Sequence, residues 1–277
     1  MVYFYPMKYI FIIFFAFGFS NVQAQELKEE WDTYMASYKR GAGSVLLNMS
    51  LKEKAPVLSF NYLVITGVKV KDCSPEGFPT SQEFQTLYKI SDGVNEMIDK
   101  KKRRILAGTF THQCERTDYY YVNDTTLLRK YLTDYYKTYF PQYSYIIEIQ
   151  EDKSWSRYLK FLYPNEETQE SMANQKVILQ LTKAGDKLTK ERRIDHWLYF
   201  KTEDDRRNFF IKIADQKFLV EKMDVMKDGR THPYSLQMYR TDKPELAGIT
   251  RLTLYLSKEA AKYNGEYDGW ETIVIKD

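Results

Sequence analysis

The sequence predicts an α+β protein made of two successive units, each an antiparallel sheet covered by helices. Stretches of period-two and period-3.6 apolar patterning alternate along the chain. The order strand, helix, strand, strand, helix, strand can be read twice. The 277 residues, 43% hydrophobic and 29% charged, suffice for two ordinary domains and exclude a disordered chain.

The first element is a leader. "MKYIFIIFFAFGFSNVQAQ" has one lysine, an apolar run from Tyr9 to Phe19 and the small-residue pattern Val22-Gln23-Ala24. Residues 1–24 read as a secretory signal peptide cleaved after Ala24, with Met7 as an alternative start to Met1. The run is shorter than the roughly 20 residues of a bilayer span, and no cysteine follows the cut to carry a lipid. An exported chain in the periplasm or outside the cell is expected, with no stable membrane anchor after cleavage; with Met1 as the start, an uncleaved anchor is the alternative. The leader carries one charge, Lys8, so the mature chain keeps a near-neutral balance that demands no acidic partner.

The first unit is expected over residues 25–163. A helix around Trp31 and Tyr34 leads into a strand near Val45–Leu51 and an extended run over Val57–Val70. Thr80-Ser81-Gln82-Glu83 reads as a capping box opening a helix with Phe84, Leu87, Tyr88, Val94, Met97 and Ile98 at helical spacing. The basic run Lys100–Arg104 complements that helix's C-terminus. It stands alone as a basic patch, so nucleic acid is not expected as a partner. Strands Ile105–His112 and Glu115–Val122, a helix Thr125–Tyr139 and the extended "YSYIIEIQ" complete βαββαβ with an extra strand.

After a polar linker at 164–168, residues 169–277 repeat the order. A helix through Ala173, Val177, Leu181 and Ala184 precedes the strand "RRIDHWLYF". Thr202 then caps a helix carrying Phe209, Phe210 and Ile213, strands "KFLVEKMDV" and "PYSLQMYR" follow, and Asp242–Glu245 opens a helix with Ile249, Leu252, Leu256, Ala260 and Tyr263. "GWETIVIK" closes the sheet. Both units are thus ferredoxin-like, with their helices on one face of the sheet.

"GDKLTKERRIDHWLYF", "TDKPELAGI" and "GEYDGWE" together resemble the domain of regulator of ribonuclease E activity B, over most of residues 170–277. His196-Trp197 with Tyr267-Asp268-Gly269-Trp270 carries the likeness. Residues from about Trp31 to Tyr163 are similar to a bacterial domain family of unknown function that often precedes such a domain. Its carriers are Trp31, Tyr34, Gly77-Phe78-Pro79, "AGTFTHQCERTDYYYV", Trp155 and Tyr158. The first resemblance implies a protein that acts by binding another protein. No cofactor is expected, and a signal peptide would keep this chain from a cytosolic ribonuclease.

Alternation puts Ile194, His196, Leu198 and Phe200 on one face of their strand and Asp195, Trp197 and Tyr199 on the other. Helices on one side leave the Trp197–Tyr199 face open, to serve as a binding platform or to pack against the first unit. Trp270, on the neighbouring strand, is a candidate to join it, and Asn264-Gly265 is expected to end the preceding helix. The candidate binding residues are His196, Trp197, Tyr199, Tyr267, Asp268, Trp270 and Glu271. The alternative reading is a hydrolase in which His196 works with Asp268 and Glu271. Against it, the chain has no nucleophile elbow, no H-E-x-x-H and no Gly-rich phosphate loop.

Cys73 and Cys114 are the only cysteines. In a βαββαβ sheet, the end of the first strand and the hairpin between the second and third lie together, so a disulfide is expected. Two free thiols, or a metal shared with His112, are the alternatives, and three ligands with one short spacing make a weak metal signal.

Overall fold

The computed structural model describes residues 29–276. The expected signal peptide and its cut after Ala24 lie outside them. No described helix is long and apolar enough to cross a membrane.

The described residues open with a hairpin, β1 (Trp31–Tyr38) and β2 (Gly41–Asn48), joined by two residues. The helix expected around Trp31 and Tyr34 is therefore a strand. The three-residue spacing of two aromatics mimicked a helical face, whereas Tyr34 is buried between exposed Thr33 and Met35, the alternation of a strand. Next come β3 (Tyr62–Lys69), α1 (Phe84–Asp99), β4 (Arg104–His112), β5 (Glu115–Val122), α2 (Leu128–Tyr139) and β6 (Tyr145–Glu151). The sheet order is β1-β2-β4-β5-β3-β6, a ferredoxin-like core extended by a hairpin rather than by one strand.

The capping box at Thr80 does not form. Thr80 Oγ1 donates to Asp72 at 2.7 Å, and α1 starts after Glu83 without a side-chain cap.

Both α-helices of this sheet pack on one face, as expected, and the other face is covered in part by the segment after β6. On one side Leu87, Ile90 and Val94 of α1 and Leu132 of α2 pack against Val64, Tyr120 and Val122. On the other, the segment after β6 turns into a π-helical stretch, Arg157–Leu162, and sets Trp155, Tyr158 and Leu162 against Leu47, Leu63 and Tyr121. The disulfide Cys73–Cys114 is formed, with Cα atoms 5.8 Å apart.

The second unit comprises α3 (Glu166–Lys183), β7 (Arg192–Phe200), α4 (Glu203–Lys212), β8 (Leu219–Val225), β9 (Tyr234–Asp242), α5 (Leu246–Ala261) and β10 (Gly265–Thr272). Its sheet order, β10-β7-β9-β8, is that of a ferredoxin-like unit. Most of the expected linker is the first turn of α3, where the Asn165 side chain accepts from Thr168 N at 2.8 Å. Thr202 caps α4 as its sequence indicates.

The core lies between the helices and one face of the sheet. Phe209 of α4 and Leu256 and Ala260 of α5 meet Leu198, Phe200 and Leu236, while Leu181 of α3 and Ile249 meet Ile194 and Trp270. Helix α3 also reaches the first unit, where Met172 joins the core formed around Trp155.

Candidate functional site

The stretch Tyr267-Asp268-Gly269-Trp270 lies inside β10, not at its entry. Tyr267 pairs with Leu198 and Gly269 with Trp197, so Asp268 is an extra residue, a β-bulge. The bulge resets the alternation and puts Tyr267 and Trp270, three residues apart, on the same helix-covered face. Trp270 is therefore not part of the open platform: it is buried among Leu181, Ile194 and Ile249.

The residue ending α5 in the left-handed region is Asn264, at φ 47°. Gly265 is needed for space instead, since a Cβ there would lie 2.4 Å from Phe200 Cε1.

Asn174 of α3 fixes the Trp270 ring. Its Oδ1 accepts from Trp270 Nε1 at 2.7 Å, and its Nδ2 donates to Thr253 Oγ1 at 3.0 Å and Thr250 Oγ1 at 3.2 Å. Asn174→Leu would leave the buried indole N–H without its acceptor, and a loss of about 2 kcal/mol is expected. Urea unfolding checks it, and Trp270→Phe should cost less in the Asn174→Leu background than in the native one, because the bond it removes is already gone.

His196 is fully buried on this same face, with Nδ1 2.9 Å from Tyr267 Oη. Burial, reinforced by Arg240, pushes its pKa down to about 3, so the ring is neutral at ordinary pH. Glu271 is exposed and its strand position pairs with Asp195, on the opposite face, while Asp268 is exposed at the bulge. The acid–base set that the hydrolase reading needs is not assembled.

The other face carries Trp197 and Tyr199, both half-buried, with Gln237 and Ser235 beside them on β9. Helices α3, α4 and α5 contribute their cores to the opposite side. Trp155 of the first unit is stacked on Tyr121, with ring centroids 3.8 Å apart.

Arginines frame the face. Arg193 lies over the Tyr239 ring at 3.7 Å and bonds Asp195 and Glu221 at 2.6 and 2.9 Å. The Arg193 guanidinium holds the Asp195 carboxyl below the usual carboxylate range, against the opposing effect of burial. Arg230, from the β8–β9 loop, lies over Tyr199 at 4.7 Å. Between that loop and β10 is a cavity of about 470 Å³ rimmed by Tyr199, Asp228, His232, Glu266 and Asp268.

Of the expected binding residues, then, Trp197 and Tyr199 share the open face with exposed Asp268 and Glu271 at its β10 rim, whereas His196, Tyr267 and Trp270 belong to the core side. Arg193, Arg230 and Tyr239 join this face without being among the expected residues. The alternation of "PYSLQMYR" was signal enough for Tyr239, while Arg230 comes from a loop that no periodicity could place.

Residues 29–163 match the family of unknown function DUF695, and residues 171–272 match the family Regulator of ribonuclease activity B. No curated protein matches the chain. An unknown protein from Galdieria sulphuraria, known from a crystal structure, aligns over 77% of this chain and 99% of its own at 10% identity. Its TM-score of 0.22 leaves it without bearing on fold or function. The chain thus joins a segment, residues 29–163, that matches the DUF695 family to a C-terminal segment, residues 171–272, that matches the family Regulator of ribonuclease activity B.

Proposed function

We propose that this is an exported, non-catalytic regulatory protein that binds another protein through the open face of its C-terminal sheet. The observation that carries this is the pair Trp197 and Tyr199, large aromatic side chains half-exposed on a sheet face uncovered by the unit's helices and framed by Arg193 and Arg230. Tryptophan, tyrosine and arginine are the residues in which binding energy concentrates at protein interfaces. The family of the C-terminal domain is named for regulation, which favours action by contact over turnover. Export rests on the leader-like N-terminus, and the Cys73–Cys114 bridge suits an oxidising compartment.

The test is capture of a partner from the envelope fraction by a chain starting at Gln25. Trp197→Ala should reduce capture by about thirtyfold, the size of a hot-spot truncation, with an unchanged melting temperature. A large fall in stability with capture intact would make Trp197 a packing residue and remove the proposal.

A further inference from the structure

The first unit contains a second concave site, unrelated to the aromatic face. It lies on the side of the six-stranded sheet that the Trp155 segment covers only in part, and its volume is about 400 Å³, within the range of small-molecule pockets. Its apolar lining comes from four strands: Ile65 of β3, Phe110 of β4, Tyr119 of β5 and Ile146 of β6. Gly67 pairs with Thr117 on one side and Ile146 on the other, so no side chain rises from the middle of this floor.

The charges around that floor are unevenly paired. Lys69 lies 3.7 Å from Glu115. Arg40 and Arg157 also line the cavity, and neither has an ion-pair partner among the described residues. Arg157 instead lies over the Phe161 ring, its guanidinium carbon 5.0 Å from the ring centroid. With Glu148 the only other acid, and His112 apart, the lining carries three cations and two carboxylates. One excess positive charge suits a monoanion and disfavours a doubly charged phosphate.

The walls are built in advance. Gln113 and Cys114 form the β4–β5 turn, both at positive φ (51° and 60°), and Cys114 is bonded to Cys73. Gln113 Nε2 donates to the carbonyl oxygen of Arg40, and His112 Nδ1 lies 3.0 Å from that of Ala42. The disulfide-anchored turn therefore holds the β1–β2 hairpin that presents Arg40. On the other wall, the Asp152 carboxylate accepts from Arg157 N at 2.9 Å and fixes the base of that residue. A site ordered before binding spends less of its binding energy on ordering.

We propose that this cavity binds a small apolar monocarboxylate, its body on the Ile65–Phe110–Tyr119–Ile146 floor and its carboxylate between Arg40 and Arg157. The planar guanidinium fork matches a carboxylate, and two otherwise unpaired arginines give the anion partners that no protein group occupies.

The test titrates the full mature chain with benzoate, indole-3-acetate and octanoate, with 3-methylindole and inorganic phosphate as controls, and follows amide and methyl NMR shifts. At least one carboxylate should bind saturably, shifting Ile65 and Ile146, and more tightly than either control. Arg157→Gln should weaken it about tenfold or more, and Arg40→Gln similarly, with unchanged melting temperatures, because the hydrogen bond that fixes Arg157 uses its backbone N–H. No saturable binding by any of the three acids below 10 mM (roughly the weakest affinity a specific site would show) would overturn the proposal. So would affinity unchanged in both variants, or tighter binding of phosphate or 3-methylindole.

Discussion

Replacing Asp186 by Ala is expected to lower the stability of the C-terminal unit by about 3–5 kcal/mol, the cost of leaving a buried charge without its partner. Asp186 and Arg192 have side chains only 1% and 2% exposed. Arg192 Nη2 donates to Asp186 Oδ1 at 3.0 Å and Nη1 to Oδ2. The same carboxylate accepts from Leu188 N and Ile275 N, both at 2.8 Å. It therefore ties the α3–β7 loop, the start of β7 and the C-terminal segment into one knot. Asp186→Asn keeps the shape, removes the charge, and should lose a large part of the same stability.

The hydrogen bond from Arg192 holds the Asp186 carboxyl well below the ordinary range, against burial and with help from the backbone N–H groups of Ile275 and Leu188. A folded-state pKa below the unfolded value of about 3.9 means that the carboxylate's contribution is complete above that value. It is lost as pH falls from there toward the folded pKa. Denaturant unfolding of the native chain and Asp186→Ala should differ most at neutral pH and converge below about pH 4. A constant difference down to pH 3 would show that packing, not charge, is the source.

What the sequence disclosed follows from which signals are local. Strand "RRIDHWLYF" coincides with β7 because a strict alternation of buried residues with exposed or half-buried ones runs its whole length. The Thr202 cap and the strands on either side of Gln113-Cys114 were legible for the same reason. The bulge at Asp268 was not. A single extra residue leaves no mark on composition, yet it moves Trp270 from the open face to the core and Glu271 to the face opposite His196. Asn174 was hidden differently, because a polar residue within a helix reads as a solvent-facing position until its partners Trp270, Thr250 and Thr253 arrive from distant elements. The anion cavity combines Arg40 from a hairpin turn with Arg157 from a π-helical segment, and neither element has a periodic signature.

The second large effect is expected at Trp155, where substitution by Ala should cost about 3–5 kcal/mol. The ring is fully buried and stacked on Tyr121, with centroids 3.8 Å apart and planes 6° from parallel. Trp155 Nε1 donates to Phe60 O at 2.9 Å, and the edge of the ring meets Tyr158. The residue sits at φ 53°, in the left-handed region that a bulky side chain adopts only when its surroundings outweigh the steric cost. Asp152 holds the turn, accepting from Tyr121 Oη at 2.7 Å and from Ser156 N at 2.9 Å. The chain leaves this turn to form the wall that carries Arg157 and then Tyr158, whose hydroxyl donates to Asn48 O at 2.7 Å. Trp155→Ala should therefore act on the first unit in two ways: its denaturation midpoint falls, and affinity for an apolar carboxylate falls because Arg157 loses its fixed base. The Trp197 face belongs to the other sheet, so partner capture should survive at temperatures where both units remain folded. A stability loss under about 1 kcal/mol, no more than a surface substitution costs, would mean that the segment after β6 is a strap lying on the sheet and not part of its core.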